Sequence, residues 1–323
     1  MNDVVVGLDV GGTKALGVLV NREGEVLDEI QTSTPHDAQG GAGAATAKVL
    51  AAQIATFAQR HGLDTATLPV GIGMPGMVRR DGRLAFAPNL QTVSGASFPE
   101  LLRESIGANL VYMENDGNCA ALGEYAWGAG RGIDNFVMVT LGTGIGGGII
   151  ANGDLVRGHS GFGGEIGHMS VQARGALCGC GGFGCWERYA SGGGLARMSF
   201  EWAAEGRLTQ LTRQRGGAQN VRGEDVTRAA SEGLVEAVAL MDEVAWWLAR
   251  GLANLIAILD TGHFVIGGGL SVAADLLLPS ARRFLETLTF GYDKRPAIVV
   301  AASSLTVRAG ALGAAKVALD RQP

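Results

Sequence analysis

Only four cysteines occur in 323 residues, far too few for a secreted disulfide scaffold of this size. No basic segment followed by an apolar one opens the chain; "MNDVVVGLDVGGTK" reads directly as a strand and not as a signal peptide. No membrane span is evident either. The most apolar helix-like stretch, "EVAWWLARGLANLIAILD", carries Arg250 near its middle and acids at both ends. Its apolar positions Val244, Leu248, Leu252, Leu255, Ile256 and Leu259 follow helical spacing, which predicts a buried helix. Positive charge is also scarce: with a net charge of −5 and a pI near 5.6, no general basic surface exists to attract nucleic acid or anionic lipid. Neither is therefore expected as a partner. The expected setting is a reducing cytoplasm, where clustered cysteines more often hold metal than pair with one another.

Glycine is the residue in excess. The chain has 52, more than twice the average usage of about 7%. These glycines punctuate apolar segments and form no low-complexity run. Two stretches resemble each other, "VVVGLDVGGTKALGVLVNREGEVL" from Val4 and "FVMVTLGTGIGGGIIANGDLV" from Phe136. Each reads as an apolar strand, a Gly/Thr turn, a second apolar strand, then a polar turn into a third strand. Such a repeat predicts two copies of one α/β unit, against the simpler alternative of two unrelated hairpins. Further strands are expected in "TATLPVGIGMPGMV", "NLVYMEN", "TGHFVIGGGLS" and "RPAIVVAASS", with a C-terminal helix in "RAGALGAAKVALDR". Strands alternating with helices, with glycines and polar residues at strand ends, describe an α/β protein whose site lies at those ends.

"DVGGTK" (Asp9, Gly11, Gly12, Thr13, Lys14) and "LGTGIGGG" (Gly142, Thr143, Gly144) have the make-up of anion cradles. Glycine lets main-chain N–H groups approach phosphate without a Cβ in the way, and threonine hydroxyls can add bonds. Neither matches the P-loop pattern, and either alone could be a plain tight hairpin. Two in equivalent positions of duplicated halves point to a nucleotide, with Gly267 and Gly268 as a third glycine element against adenine or ribose. Asp116 follows the strand "LVYMEN" and heads a helix, so it is a candidate general base; a plain helix N-cap is the alternative.

"CGCGGFGCWE" packs Cys178, Cys180 and Cys185 into eight residues, and His168 lies ten positions before the first. A Cys₃His set suits tetrahedral zinc, and four protein ligands leave no open position, so such a metal would be structural. A disulfide or unliganded cysteines are the alternatives. Cys119 lies on an apolar helix face and reads as an ordinary buried cysteine. His36, His61, His159 and His263 carry no partner pattern and are expected on loops or at the surface.

"DVGGTK", "ENDGNCAALGE", "LGTGIGGG", "GGEIGH" and "CGCGGFGCWE", in this order, resemble the ROK family of bacterial sugar kinases over nearly the whole chain. The cysteine block is similar to that of the family's glucokinases. The resemblance implies an α/β fold of the actin-like, hexokinase-type (ribonuclease H-like) ATPases, with duplicated halves closing across a cleft. It implies a smaller domain of residues 1–114 plus about 305–323, and a larger one of 115–304. The implied activity is ATP-dependent phosphorylation of glucose at its 6-hydroxyl, with Mg²⁺ entering with ATP. By matching position, Asp116 would be the base and Asn89, Asn115, Glu165 and Glu187 would bind sugar hydroxyls. His168 would ligate zinc and also reach the sugar. The two glycine loops would hold the phosphates, and a homodimer or tetramer would be ordinary. Zinc would then aim the two carboxylates, since Glu165 lies three residues before one ligand and Glu187 two after another.

Two departures from the family pattern stand out. Gly117 and Cys119 replace alanines, both small, and the segment after Asn89 lacks the tryptophan many actinobacterial glucokinases carry. The competing readings are a kinase for mannose, fructose, N-acetylglucosamine or N-acetylmannosamine, a polyphosphate-using glucokinase, or a sugar-responsive regulator. A regulator would need an N-terminal helix-turn-helix, and a strand starting at Val4 leaves no room for one.

Overall fold

The computed structural model describes residues 3–35, 43–87 and 93–321, so Asn89 and His36 lie outside the described residues. In chain order the elements begin with β1 (Val4–Val10), β2 (Lys14–Asn21), β3 (Val26–Ser33) and α1 (Ala44–His61). There follow β4 (Val70–Met74), β5 (Met77–Val78), β6 (Leu84–Phe86), α2 (Phe98–Ile106), β7 (Val111–Asn115) and α3 (Asp116–Trp127). The middle of the chain holds β8 (Phe136–Leu141), β9 (Ile145–Ala151), β10 (Asp154–Leu155), α4 (Glu187–Ala190) and α5 (Gly192–Ala204). It continues with α6 (Thr209–Arg215), α7 (Gly223–Ser231) and α8 (Val235–Leu259). The last elements are β11 (His263–Gly267), α9 (Ala274–Leu288), β12 (Val299–Ala302) and α10 (Ala309–Asp320).

The expected repeat is present in the sheets. One five-stranded sheet runs β3-β2-β1-β4-β7 and the other β10-β9-β8-β11-β12, the same order of equivalent strands. In the first, β1–β2 and β2–β3 pair antiparallel while β1–β4 and β4–β7 pair parallel. In the second, β9–β10 is antiparallel and β11–β12 parallel. Two unrelated hairpins would not share this order.

The chain divides into two compact units, Met1–Met138 with Gly147–Gly164 and Ser303–Pro323, and Val139–Gly146 with Glu165–Ala302. In the first unit β1 is buried on both faces. Val6, Leu8 and Val10 pack with Leu50, Ile54 and Phe57 of α1, while Val5 packs with Val18, Val20, Ala311 and Ala315. Glycine makes the second contact possible, because a Cβ added at Gly71 would collide with Ala314 O and one at Gly313 with Cys119 O. Helix α10 therefore lies backbone-close to both the sheet and α3, and Cys119 is fully buried there.

In the second unit α8 is the buried helix expected, with Val244, Leu248, Leu252, Leu255 and Ile256 at most 4% exposed. Leu259 departs from the expectation: it is 37% exposed, because Asp260 turns left-handed and ends the helix beside it. His263 also departs, as the half-buried first residue of β11. Among the described residues no helix is long and apolar enough to cross a membrane.

Candidate active site

The β7–α3 junction decides one alternative at Asp116. The cap of α3 is Asn115, in extended conformation, whose Oδ1 accepts from the Asn118 amide at 3.0 Å. Asp116 is the first helical residue, and its Oδ1 accepts from the next amide, Gly117, at 2.9 Å. Capping therefore falls to Asn115, and the Asp116 carboxylate is not required for it. Asn115 also donates from Nδ2 to Gly76 O at 3.0 Å, so both ends of its amide already hold the junction in place. The Asn115 side chain also hydrogen-bonds the Asp116 carboxylate, which leaves one lone pair on its oxygen.

Beneath the junction lies a buried ion pair that the sequence reading missed. Glu114, 5% exposed at its side chain, accepts from Arg157 Nε at 2.6 Å and from Asn118 Nδ2 at 3.0 Å. The only sequence signal was a carboxylate inside the apolar strand "VYMEN". Glu124 was missed in the same way: it is fully buried and accepts from the Ala129 and Leu305 amides at 2.6 and 3.0 Å and from the Ser303 hydroxyl. It ties the end of α3 to the turn that starts α10.

Asp9, at the end of β1, faces the same region of this unit. Burial pushes its carboxyl up to about 7, and the negative charge of Asp116 adds to the rise. Burial also raises Asp116, against the amide and Asn115 hydrogen bonds that lower it. The loop after Asp9 is a tight hairpin, closed by the Gly11 amide donating to Lys14 O at 2.8 Å. Thr34 braces it, its hydroxyl on Gly11 O at 2.8 Å and its amide on Thr13 O at 3.0 Å. Gly12, Thr13 and Lys14 are exposed, and a Cβ at Gly12 would meet nothing within 4 Å. Packing does not require glycine there.

The β8–β9 loop of Gly142, Thr143 and Gly144 is the equivalent hairpin, closed by the Gly142 amide on Gly144 O at 3.0 Å. Gly268, after β11, is needed on packing grounds alone. Its φ is +84°, and a Cβ would lie 2.6 Å from the Leu141 amide nitrogen. Gly267 before it is buried in the strand.

In the second unit the sequence-predicted cysteines and histidine converge. One ligand atom from each of His168, Cys178, Cys180 and Cys185 lies within 4.8 Å of all the others. Cys180 Sγ is 3.6 Å from Cys185 Sγ, and Cys178 Sγ is 3.8 Å from His168 Nδ1. A disulfide would bring the sulfurs to about 2 Å, and all four cysteines are free. Ligands at tetrahedral angles on zinc bonds of about 2.3 Å to sulfur would stand about 3.8 Å apart. The donor set and its spacing fit that ion. The frame is a tight turn in which the Cys178 amide donates to Gly182 O at 2.8 Å, with bridges Leu177–Phe183 and Ser170–Cys185. Burial pushes the Cys178 and Cys185 thiols up, whereas the Gly182 amide pulls Cys180 down.

Glu187 opens α4 against this cluster. Its Oε1 accepts from the Cys178 thiol at 2.9 Å and lies 3.9 Å from His168 Nδ1; its Oε2 lies 3.4 Å from the Ile145 amide. Glu165 is exposed and starts the short turn Ile166–His168, its carbonyl accepting from the His168 amide at 3.1 Å. His159, in the first unit, is exposed, and His61 pairs with Asp28 at 3.1 Å.

Residues 5–321 match the ROK family. The chain belongs to that family. The glucokinase of Streptomyces coelicolor is 36% identical over 327 residues, covering 99% of each chain. The xylose repressor of Bacillus subtilis is 28% identical over 98% of this chain but only 77% of its own length. Among solved structures, a ROK family glucokinase from Streptomyces griseus, in complex with glucose and AMPPNP, superimposes with a TM-score of 0.84. It is 36% identical, over 98% of this chain and 99% of that one. The fold is accordingly the two-domain actin-like, hexokinase-type ATPase fold that the motifs implied.

Proposed function

We propose that this ROK protein is an ATP-dependent glucokinase that makes glucose 6-phosphate. The near full-length similarity to the Streptomyces glucokinases carries this reading. In the proposed reaction the sugar's 6-hydroxyl oxygen attacks the γ-phosphorus in line. The new O–P bond forms as the bond to the β,γ-bridging oxygen breaks, ADP leaves, and the hydroxyl proton passes to Asp116. Phosphoryl transfer of this kind needs alignment, charge stabilisation and a proton acceptor, with little covalent chemistry from the protein. An Asp116 carboxyl raised by burial is moved toward the working pH, as a general base should be.

Asn89, Asn115, Glu165, His168 and Glu187 are assigned to the sugar hydroxyls. Asp9, Gly11, Gly12, Thr13, Lys14, Gly142, Thr143, Gly144, Gly267 and Gly268 are assigned to Mg·ATP. His168, Cys178, Cys180 and Cys185 are assigned to one zinc per chain, whose chemistry is structural because four protein ligands leave it no open position. Residues 1–114 with about 305–323, and 115–304, are taken as the functional domains, in a cytoplasmic homo-oligomer. The similarity to a xylose repressor favours one second reading, a sugar-sensing regulator that binds hexose without turnover. Measuring ADP release across a hexose panel, with ATP and with polyphosphate, separates the two. Glucose with ATP should give the highest kcat/KM, and sugar binding with no ADP release would favour the regulator.

A further inference from the structure

The two arms that carry the cysteines and histidine also enclose the second glycine loop, a contact the functional reading leaves unused. The arms are laced to one another. Ser170 pairs with Cys185, the Val171 amide donates to Gly184 O at 2.8 Å, and the Trp186 amide donates to Met169 O at 2.9 Å. Both arms then reach residues 142–145. Gly167, adjacent to His168, lies so close to Ile145 O that a Cβ there would collide. From the other arm the Gly192 amide donates to Gly142 O at 2.8 Å and the Gly193 amide to Thr143 O at 3.0 Å. The Ser191 hydroxyl shares its hydrogen between Thr143 O at 2.9 Å and Glu187 O at 2.5 Å. Ser191 is fully buried and caps α5 by accepting from the Gly194 amide at 3.0 Å, so its oxygen has one orientation.

These bonds fix where the loop amides point. In a trans peptide the C=O and N–H lie on opposite sides. Holding the Gly142 and Thr143 carbonyls toward residues 191–193 therefore turns the Thr143 and Gly144 N–H groups away from the clamp, as free donors for an anion must be. An arm that loosens lets these peptides rotate, and ordering them again costs conformational entropy at the moment of binding.

We propose that the Cys₃His cage and the nucleotide site are thermodynamically coupled, with Ser191 as the positioning residue that transmits the coupling. An ion in the cage stiffens residues 166–193 and pre-orients the Thr143 and Gly144 amides, so ion and nucleotide raise each other's affinity. The inference rests on reading the cage as a zinc site and the loop as a phosphate loop.

The test is a linkage measurement on the full chain without sugar, using zinc alone and Mg·ADP alone as probes. Zinc-loaded protein should bind Mg·ADP at least about five-fold more tightly than stripped protein, and Mg·ADP should tighten zinc by the same factor. In Ser191→Ala both ligands should still bind, but the factor should fall below about two. A factor near one in folded wild-type protein that takes up one zinc per chain would overturn the coupling while leaving the zinc site standing. A chain that takes up no zinc would overturn both. If stripped protein loses its fold, the zinc-loaded forms decide. Ser191→Ala should then bind Mg·ADP about five-fold more weakly, with zinc content and glucose Kd unchanged. Equal affinity for Mg·ADP would sink the proposal.

Discussion

Replacing Asp9 with asparagine should make the protein more stable at pH 8. Burial and the nearby Asp116 lift the Asp9 carboxyl from 3.8 to about 7, so the fold disfavours the charge that it carries at pH 8. At about 1.36 kcal/mol per pKa unit, that displacement is a ceiling of about 4 kcal/mol. One feature opposes it. A Cβ at Gly310 would sit 2.5 Å from Asp9 Oδ2, so the N-terminal end of α10 lies against the carboxylate, and a helix N-terminus favours negative charge by about 0.3–1 kcal/mol. The asparagine amide must also find partners in a half-buried site, at about 1 kcal/mol. About 1–3 kcal/mol of stabilisation should survive these two offsets.

The pH dependence carries the sign. Below pH 4 the folded and unfolded chains both hold the Asp9 proton, and wild type has no penalty. Wild-type stability should then fall as pH rises from about 4 through about 7, since the unfolded chain releases the proton first. Urea denaturation of both proteins without nucleotide, at pH 4.5 and pH 8, measures this directly. The Asp9→Asn advantage should shrink to under about 1 kcal/mol at pH 4.5. An asparagine variant that is less stable at pH 8, or an advantage that does not change with pH, would refute the reasoning.

Cys180→Ala should lose the metal and weaken glucose binding together, because the segments carrying Glu165 and Glu187 lose their common anchor; zinc-free but fully active wild-type enzyme would end this idea. Glu187→Gln removes a charged acceptor worth about 1.5–3 kcal/mol, so the glucose KM should rise about ten-fold or more while the ATP KM moves less. The reverse pattern would mean that Glu187 has been misplaced. Gly251→Ala should lower the melting temperature and cost about 1–3 kcal/mol by overpacking, because the new Cβ would collide with the ring of Trp186, which is fully buried. An unchanged melting temperature would show that the ring can give way.

Features set by local sequence are legible in the sequence alone. The duplicated strand–turn–strand pattern at Val4 and Phe136 became two sheets of the same order, because hydrophobic runs and Gly/Thr turns specify hairpins locally. The convergence of His168 with Cys178, Cys180 and Cys185 was also legible, since three thiols and an imidazole at short spacing make up a metal-ligand set. What escaped depends on partners far away in sequence. Glu114 meets Arg157 across 43 positions, and Glu124 meets Leu305 across 181. No local pattern marks either carboxylate as buried. The glycines show the same limit. Gly71 and Gly313 fall inside an expected strand and an expected helix, and nothing local marks them as the positions that allow the backbone contacts of α10. At the β7–α3 junction the sequence offered Asp116 as a possible cap, and only the hydrogen bond from the Asn118 amide to Asn115 Oδ1 shows that Asn115 fills that role.

The central claim is that this chain transfers the γ-phosphoryl group of ATP to glucose with Asp116 as the base, and Asp116→Asn tests it most directly. Because Asn115 already caps α3, the substitution should leave the melting temperature and glucose Kd largely unchanged. The amide can accept a hydrogen bond from the sugar but cannot take its proton, so kcat should fall by roughly 10²–10⁴-fold. A folded, glucose-binding Asp116→Asn protein with near-wild-type kcat would contradict the account.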